Sequence, residues 1–117
     1  MRKVYYLSTC DTCKRIMGSL NLQGFEKQDI KTEPITEQQI EQMRDLTDSY
    51  SSLFSKVARK YRGMGLHERQ LDERELKSLI LQEYTFLKRP VFIVDDKIFI
   101  GNSKKTVSTL EEVLGKG

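Results

Sequence analysis

The chain has 117 residues, of which 38% are hydrophobic and 32% are charged, and these proportions are typical of one globular domain with its own core. Its 20 basic and 17 acidic residues alternate in sign and give a net charge of +3, so we expect no direct binding of nucleic acid. No apolar run approaches the roughly 20 residues of a membrane span or the roughly 7–15 residues of a signal peptide, so we expect a cytoplasmic protein without membrane contact.

The first predicted elements enclose both cysteines of the chain. A strand is predicted over residues 2–7 and a helix over residues 12–22, which Gly24 is expected to cap. Between the strand and the helical pattern comes Cys10-x-x-Cys13, and a Cys-x-x-Cys at such a corner is typical of a thioredoxin-like redox motif. The unpaired N–H groups and the dipole of the first helical turn favour a thiolate at Cys10. We therefore predict that Cys10 is the nucleophile and that Cys13, one turn further along the same face, is the resolving thiol.

Three polar residues flank these thiols and are predicted to contact the substrate, namely Thr9, Asp11 and Thr12. The carboxylate of Asp11 disfavours a thiolate at Cys10, and the two basic residues that follow Cys13 offset this effect. Two alternatives stay open for the cysteine pair. One is half of a zinc site, for which only His67 and carboxylates remain as further ligands although zinc takes four. The other is a pair of buried, inert cysteines. We predict no metal site.

A second strand is predicted over residues 25–30, and helical periodicity follows. The periodicity predicts a helical insertion at about residues 36–84. Three helices are expected in it, beginning at the capping box of Thr36 and Gln39, at Ser51 or Ser52, and at the capping box of Asp72 and Glu75. The middle helix carries a basic cluster, made up of Lys56, Arg59, Lys60 and Arg62. We interpret this cluster as a solvated face, with a partner-binding surface as the alternative.

Beyond Pro90 the pattern returns to that of β-structure. Apolar runs at residues 91–94 and 97–100 flank an Asp-Asp pair and predict a hairpin, and a final helix is expected to begin after Ser103. The order βαβ, helical insertion, ββα predicts one α/β domain of the thioredoxin-like class over residues 1–117. Its sheet is expected to have four strands of mixed direction, with helices on both faces.

Arg89 and Pro90 form a second constellation, because the loop before the third strand faces the redox corner in this type of fold. We hypothesise a cis peptide bond at Pro90, which would let the backbone of Arg89 pair with an extended substrate segment beside Cys10. The guanidinium of Arg89 would stabilise a thiolate or hold an oxyanion through two parallel hydrogen bonds. The alternative is a solvated arginine in front of a rigid turn.

The sequence resembles the ArsC/Spx family of bacterial arsenate-reductase-related proteins over nearly its whole length. The residues that carry the resemblance are Tyr5 ahead of Cys10, Leu53-Phe54 running on to Tyr61-Arg62-x-x-Gly65-Leu66, Lys88-Arg89-Pro90-Val91, and Gly101-Asn102. The resemblance implies a thioredoxin-type domain with a helical insertion. It also implies that Cys10 is the reactive cysteine and that Arg89 lies near it.

The chain departs from this pattern where the resemblance implies oxyanion binding. Arsenate reductases of this type are expected to hold the oxyanion with three arginines, of which only Arg89 aligns here. Ser55 and Gly101-Asn102 stand at the other two positions. Since a charge-assisted hydrogen bond contributes about 1.5–3 kcal/mol, losing two weakens oxyanion binding on the order of a hundredfold or more. We therefore expect no true arsenate reduction.

We predict instead a thiol–disulfide oxidoreductase that needs no cofactor. Its reductant is expected to be a small thiol such as glutathione, or a glutaredoxin-like or thioredoxin-like protein. The alternative is a redox-sensing transcriptional regulator of the Spx type that binds RNA polymerase. The Cys-x-x-Cys favours this alternative, whereas Ser51-Ser52 stands where such regulators are expected to have a glycine that contacts the polymerase.

Overall fold

A computed structural model describes all 117 residues. The chain folds into two compact units. The first unit comprises residues Met1–Glu33 and Arg89–Gly117, and the second comprises Pro34–Lys88. The strands are β1 (Arg2–Tyr6), β2 (Glu26–Asp29), β3 (Val91–Val94) and β4 (Lys97–Ile100). The helices are α1 (Asp11–Gly18), α2 (Glu37–Leu46), α3 (Arg59–Gly63), α4 (Glu73–Gln82) and α5 (Lys104–Leu114). None of these helices has the length and the apolar character that a membrane span requires.

The first unit contains one mixed sheet with the strand order β2-β1-β3-β4. Strands β1 and β2 are parallel and place Tyr6 opposite Asp29, so both strands end at the same edge of the sheet. Strand β3 is antiparallel to both β1 and β4. The sheet confirms the predicted α/β fold of the thioredoxin-like class.

An apolar core covers one face of this sheet. Val4 of β1 and Phe92 of β3 are opposite each other in the antiparallel register, and neither side chain is exposed. Ile16 from α1, Leu20 just after it and Leu110 from α5 pack against them. The apolar faces of α1 and α5 thus pack against the sheet. This packing fixes the position of α1, which carries the cysteines at its start.

Helix α1 is shorter than the sequence predicts. It begins at Asp11 but ends at Gly18, because the hydroxyl of Ser19 donates to the carbonyl oxygen of Ile16 at 2.8 Å and competes with the next helical turn. Gly24 is therefore not the cap of this helix, and that prediction is wrong. It has a φ of +83° and lies in the turn that leads into β2.

Two of the predicted helix starts in the second unit are confirmed. The Thr36 hydroxyl accepts the N–H of Gln39 at 3.1 Å at the start of α2, and the Asp72 carboxylate accepts the N–H of Glu75 at 2.8 Å at the start of α4. In both boxes the side chain at the third position also accepts the backbone N–H of the cap residue. Each box therefore satisfies two N–H groups that the helix leaves unpaired.

The helix predicted to begin at Ser51 or Ser52 is wrong. That segment forms turns, and Phe54 makes an isolated antiparallel bridge with Leu87. The N–H of Ser55 donates to the carbonyl oxygen of Phe86 at 2.7 Å, and the N–H of Lys88 donates to that of Leu53 at 2.8 Å. These bonds join residues more than thirty positions apart, which local periodicity does not reveal. Only α3 is helical here, and it ends at Gly63.

Candidate active site

Cys10 occupies the corner between β1 and α1. Its N–H donates to the carbonyl oxygen of Leu7 at 3.0 Å and closes a turn with Ser8 and Thr9 at its tip. Its own carbonyl oxygen accepts the N–H of Lys14 at 3.2 Å and so begins the helix, which makes Cys10 the N-cap residue. The side chain is partly exposed and carries a free thiol. The predicted strand–helix corner is therefore present, with one thiol open to solvent.

The surroundings of Cys10 favour its thiolate. Partial burial raises the pKa of Cys10, whereas the N–H and the thiol of Cys13, which both donate to its sulfur, lower it. The positive charge of Arg89 and the N–H of Thr12 lower the pKa of Cys10 further, so the net result lies below its ordinary value. The unpaired N–H groups at the start of α1 thus stabilise the thiolate of Cys10, as the sequence predicts.

Cys13 has the opposite character, although it is also a free thiol. Its side chain is 0% exposed. Burial is the main reason why the pKa of Cys13 is raised to about 11, and the N–H of Leu7 opposes this increase only in part. The hydrogen bond to the sulfur of Cys10 and the negative charge there contribute to the increase, whereas the charge of Arg89 opposes it. At neutral pH the pair therefore consists of one activated sulfur and one protonated sulfur that donates to it.

Arg89 and Pro90 belong to the same unit as the two cysteines. The Arg89–Pro90 peptide bond is cis, which confirms the hypothesis made from the sequence. Pro90 is buried, and its carbonyl oxygen accepts the N–H of Gly101 at 2.9 Å. Arg89 is half-buried, and its charge acts on both sulfurs. It is thus not a solvated arginine remote from the thiols.

The three residues predicted to contact the substrate lie around Cys10 in different settings. Thr9 is exposed at the tip of the turn, and Thr12 is half-buried with its N–H directed at the sulfur. The carboxylate of Asp11 is fully exposed and lies 3.8 Å from the ammonium of Lys14. That position turns its charge towards solvent and a cation. Contact of these residues with a substrate stays a prediction.

The positions at which the family resemblance implies further arginines are occupied differently. Ser55, in the second unit, is buried and tied through its backbone to Phe86. Gly101 has a φ of +87°, in the left-handed region that favours glycine, and Asn102 after it is exposed. No group of three or more histidine, cysteine, aspartate or glutamate side chains is arranged to hold a metal ion.

Sequence reasoning missed Asp29, the last residue of β2. One of its carboxylate oxygens accepts the N–H of Ser8 at 3.3 Å and the N–H of Lys31 at 3.2 Å. The hydroxyl of Ser8 also donates to this carboxylate and is the main reason why the pKa of Asp29 is lowered. The signal was present in the sequence, because two parallel strands end at the same edge of a sheet and Asp29 closes the second one.

Comparisons with known proteins agree with this fold. The ArsC family model matches residues 5–110. A protein from Staphylococcus aureus COL is 26% identical, with a TM-score of 0.74 over 94% of this chain and 98% of its own. A possible arsenate reductase from Streptococcus mutans UA159 is 23% identical, with a TM-score of 0.70 over 89% and 92% of the two chains. An arsenate reductase from Vibrio cholerae is 14% identical, with a TM-score of 0.72 over 97% of each chain. No curated protein matches the sequence significantly.

Proposed function

Because the chain belongs to the ArsC family, a family of thiol-based redox enzymes, we propose that it is a thiol–disulfide oxidoreductase with Cys10 as its nucleophile. One observation carries the proposal. The sulfur of Cys10 is partly exposed at the start of α1, where two backbone N–H groups, the Cys13 thiol and the charge of Arg89 stabilise its anion. A lowered pKa increases the fraction of Cys10 that is thiolate, and the thiolate is the form that attacks disulfides.

The first step of the proposed reaction forms a mixed disulfide. The Cys10 thiolate attacks one sulfur of a substrate disulfide, the substrate S–S bond breaks, and the other substrate sulfur leaves as a thiolate. This step removes the negative charge on Cys10, which is one of the groups that raise the pKa of Cys13. The influences of the Leu7 N–H and of Arg89, which lower the pKa of Cys13, remain. The resolving thiol is therefore easier to deprotonate once it is needed.

The second step releases the remaining half of the substrate. Cys13 loses its proton and attacks the sulfur of Cys10, which forms the Cys10–Cys13 disulfide and expels the second substrate thiolate. Two glutathione molecules, or the dithiol of a glutaredoxin-like or thioredoxin-like protein, then reduce this disulfide and are themselves oxidised. The protein needs no other cofactor in this scheme.

The test is turnover of a disulfide by the purified protein. With glutathione as reductant and hydroxyethyl disulfide as substrate, we expect turnover that Cys10→Ser abolishes. Cys13→Ser is expected to accumulate a mixed disulfide on Cys10, detectable as an adduct by intact-protein mass spectrometry. The unsubstituted protein should show no arsenate-dependent oxidation of glutathione. Absence of turnover with glutathione and with a thioredoxin system would refute the proposal.

A second candidate is a redox-sensing regulator that binds RNA polymerase. The observation that favours it lies in the second unit, where Val57 is 93% exposed beside the exposed Lys56. A groove of about 490 Å³ next to this segment is lined by Lys56, Phe54 and Tyr61, among others. Retention of purified RNA polymerase by the immobilised protein, altered by prior oxidation with diamide, is the expected result. Failure of both the reduced and the oxidised forms to retain it excludes this candidate.

A further inference from the structure

The turn that carries Cys10 is tied to the sheet by a side chain outside the Cys-x-x-Cys motif. Asp29 ends β2 next to Tyr6, the last residue of β1. Its carboxylate accepts the N–H of Ser8 at 3.3 Å, and the Ser8 hydroxyl donates to the same carboxylate. Ser8 is two residues before Cys10, inside the turn closed by the bond between Cys10 and Leu7. The Asp29 carboxylate therefore binds the middle of the turn that leads to Cys10.

Asp29 is itself held in place by its own loop. The same carboxylate oxygen that accepts the N–H of Ser8 also accepts the N–H of Lys31 at 3.2 Å. The backbone carbonyl oxygen of Asp29 accepts the N–H of Glu33 at 2.8 Å, and the N–H of Ile30 donates to Tyr6 at 2.9 Å. A side chain fixed at both its backbone and its carboxylate is a rigid anchor, since few rotamers remain open to it.

Both sulfurs depend on the anchored segment. Cys10 is at its end, and the N–H of Leu7, one residue before Ser8, donates to the sulfur of Cys13. The N–H groups of Thr12 and Cys13 reach the sulfur of Cys10 only when the turn sets Cys10 at the N-cap position. A change in the turn would therefore alter the surroundings of both thiols at once.

We propose that Asp29 is a positioning residue of the thiol site, whose carboxylate holds the turn at Ser8 so that the Cys10 sulfur meets the N–H groups of α1. The proposal rests on Cys10 being the reactive thiol of the proposed function. In this role Asp29 acts on the thiol site through its hydrogen bonds to Ser8. A direct effect of its negative charge on Cys10 would have the opposite sign, because a carboxylate near a thiol disfavours the thiolate. When Asp29 is replaced, loss of positioning would raise the pKa of Cys10, whereas loss of a direct charge effect would lower it. The direction of the change therefore distinguishes the two roles.

The test follows the rate of Cys10 alkylation by iodoacetamide against pH, with the modified residue identified by mass spectrometry. Asp29→Ala is expected to move the midpoint of the profile upward and to slow alkylation at pH 7 by about threefold or more, because a smaller fraction of Cys10 is thiolate. Asp29→Asn retains an oxygen for Ser8 but loses the charge-assisted bond, so a smaller displacement in the same direction is expected. Asp45→Ala, which removes an exposed carboxylate from α2, is the matched control and should leave the profile unchanged.

A midpoint that moves downward in either Asp29 variant would show a charge effect and overturn the positioning role. An unchanged midpoint in a folded Asp29→Ala variant would overturn it as well. Circular dichroism and thermal unfolding establish whether that variant folds, and if it does not, the Asp29→Asn profile decides by the same criterion of an upward displacement. The experiment uses no disulfide substrate, so its result is independent of whether the protein turns over hydroxyethyl disulfide.

Discussion

The N–H and the thiol of Cys13 both donate to the sulfur of Cys10. This contact divides the pair into an acceptor that is partly open to solvent and a donor that is fully buried. We predict that iodoacetamide at pH 8 alkylates Cys10 at least about tenfold faster than Cys13 in the folded protein, because only the thiolate reacts. Peptide mapping after brief exposure measures the ratio, and the protein in urea, where both thiols are open, is the control. Equal labelling of the two cysteines in the folded state would contradict this division.

Removal of the positive charge at Arg89 should make the thiolate of Cys10 less stable relative to the thiol. We expect Arg89→Ala to raise the pKa of Cys10 and to slow its alkylation at pH 7 roughly threefold, since the guanidinium charge stabilises the anion. Arg89→Lys keeps a positive charge and should lose less. Arg74→Ala, which removes an exposed arginine from α4, serves as the control. A titration curve that stays in place after Arg89→Ala would mean that the charge does not reach Cys10.

The buried thiol should make the protein less stable in alkali. The pKa of Cys13 is raised from 9.0 to about 11 on folding, so between these values the folded state binds more protons than the unfolded state. Stability from this group is present in full below pH 9 and is lost as pH rises towards 11, by at most about 3 kcal/mol. Urea unfolding at a series of pH values measures the decline, and Cys13→Ala should flatten it between pH 9 and 10. An equally steep decline in that variant would assign the effect to other groups.

The turn segment of the second unit allows its fold to be checked directly. Leu53 is 0% exposed and Val57 is 93% exposed, although a helix would place both on one face. We expect Leu53→Ala to cost about 2–5 kcal/mol of unfolding free energy and Val57→Ala to cost less than about 0.5 kcal/mol. Urea denaturation of the two variants gives the comparison. Similar losses of unfolding free energy at both positions would instead support the helix that periodicity predicts.

Local signals account for what the sequence predicted correctly. A capping box such as Asp72 with Glu75 needs only four consecutive residues, and the Cys10 corner needs a strand, two thiols and the start of a helix. The wrong prediction of a helix beginning at Ser51 or Ser52 involves partners remote in sequence. Phe54 pairs with Leu87 across 33 positions, and no pattern within the segment 51–61 indicates that pairing. Asp29 lies between these cases, because the predicted parallel strands imply its place at the sheet edge but not its hydrogen bonds to Ser8.

The backbone at Gly101 restricts how readily this scaffold could acquire oxyanion chemistry. With φ at +87° and its N–H committed to Pro90, the residue has a geometry that an L-amino acid with a side chain adopts only at a cost of roughly 1 kcal/mol or more. An arginine introduced there would have open space for its Cβ but would hold the backbone next to Pro90 in this strained conformation. An evolutionary or engineered route to an arsenate-binding site through Gly101 would therefore carry this backbone cost in addition to the cost of ordering the new side chain.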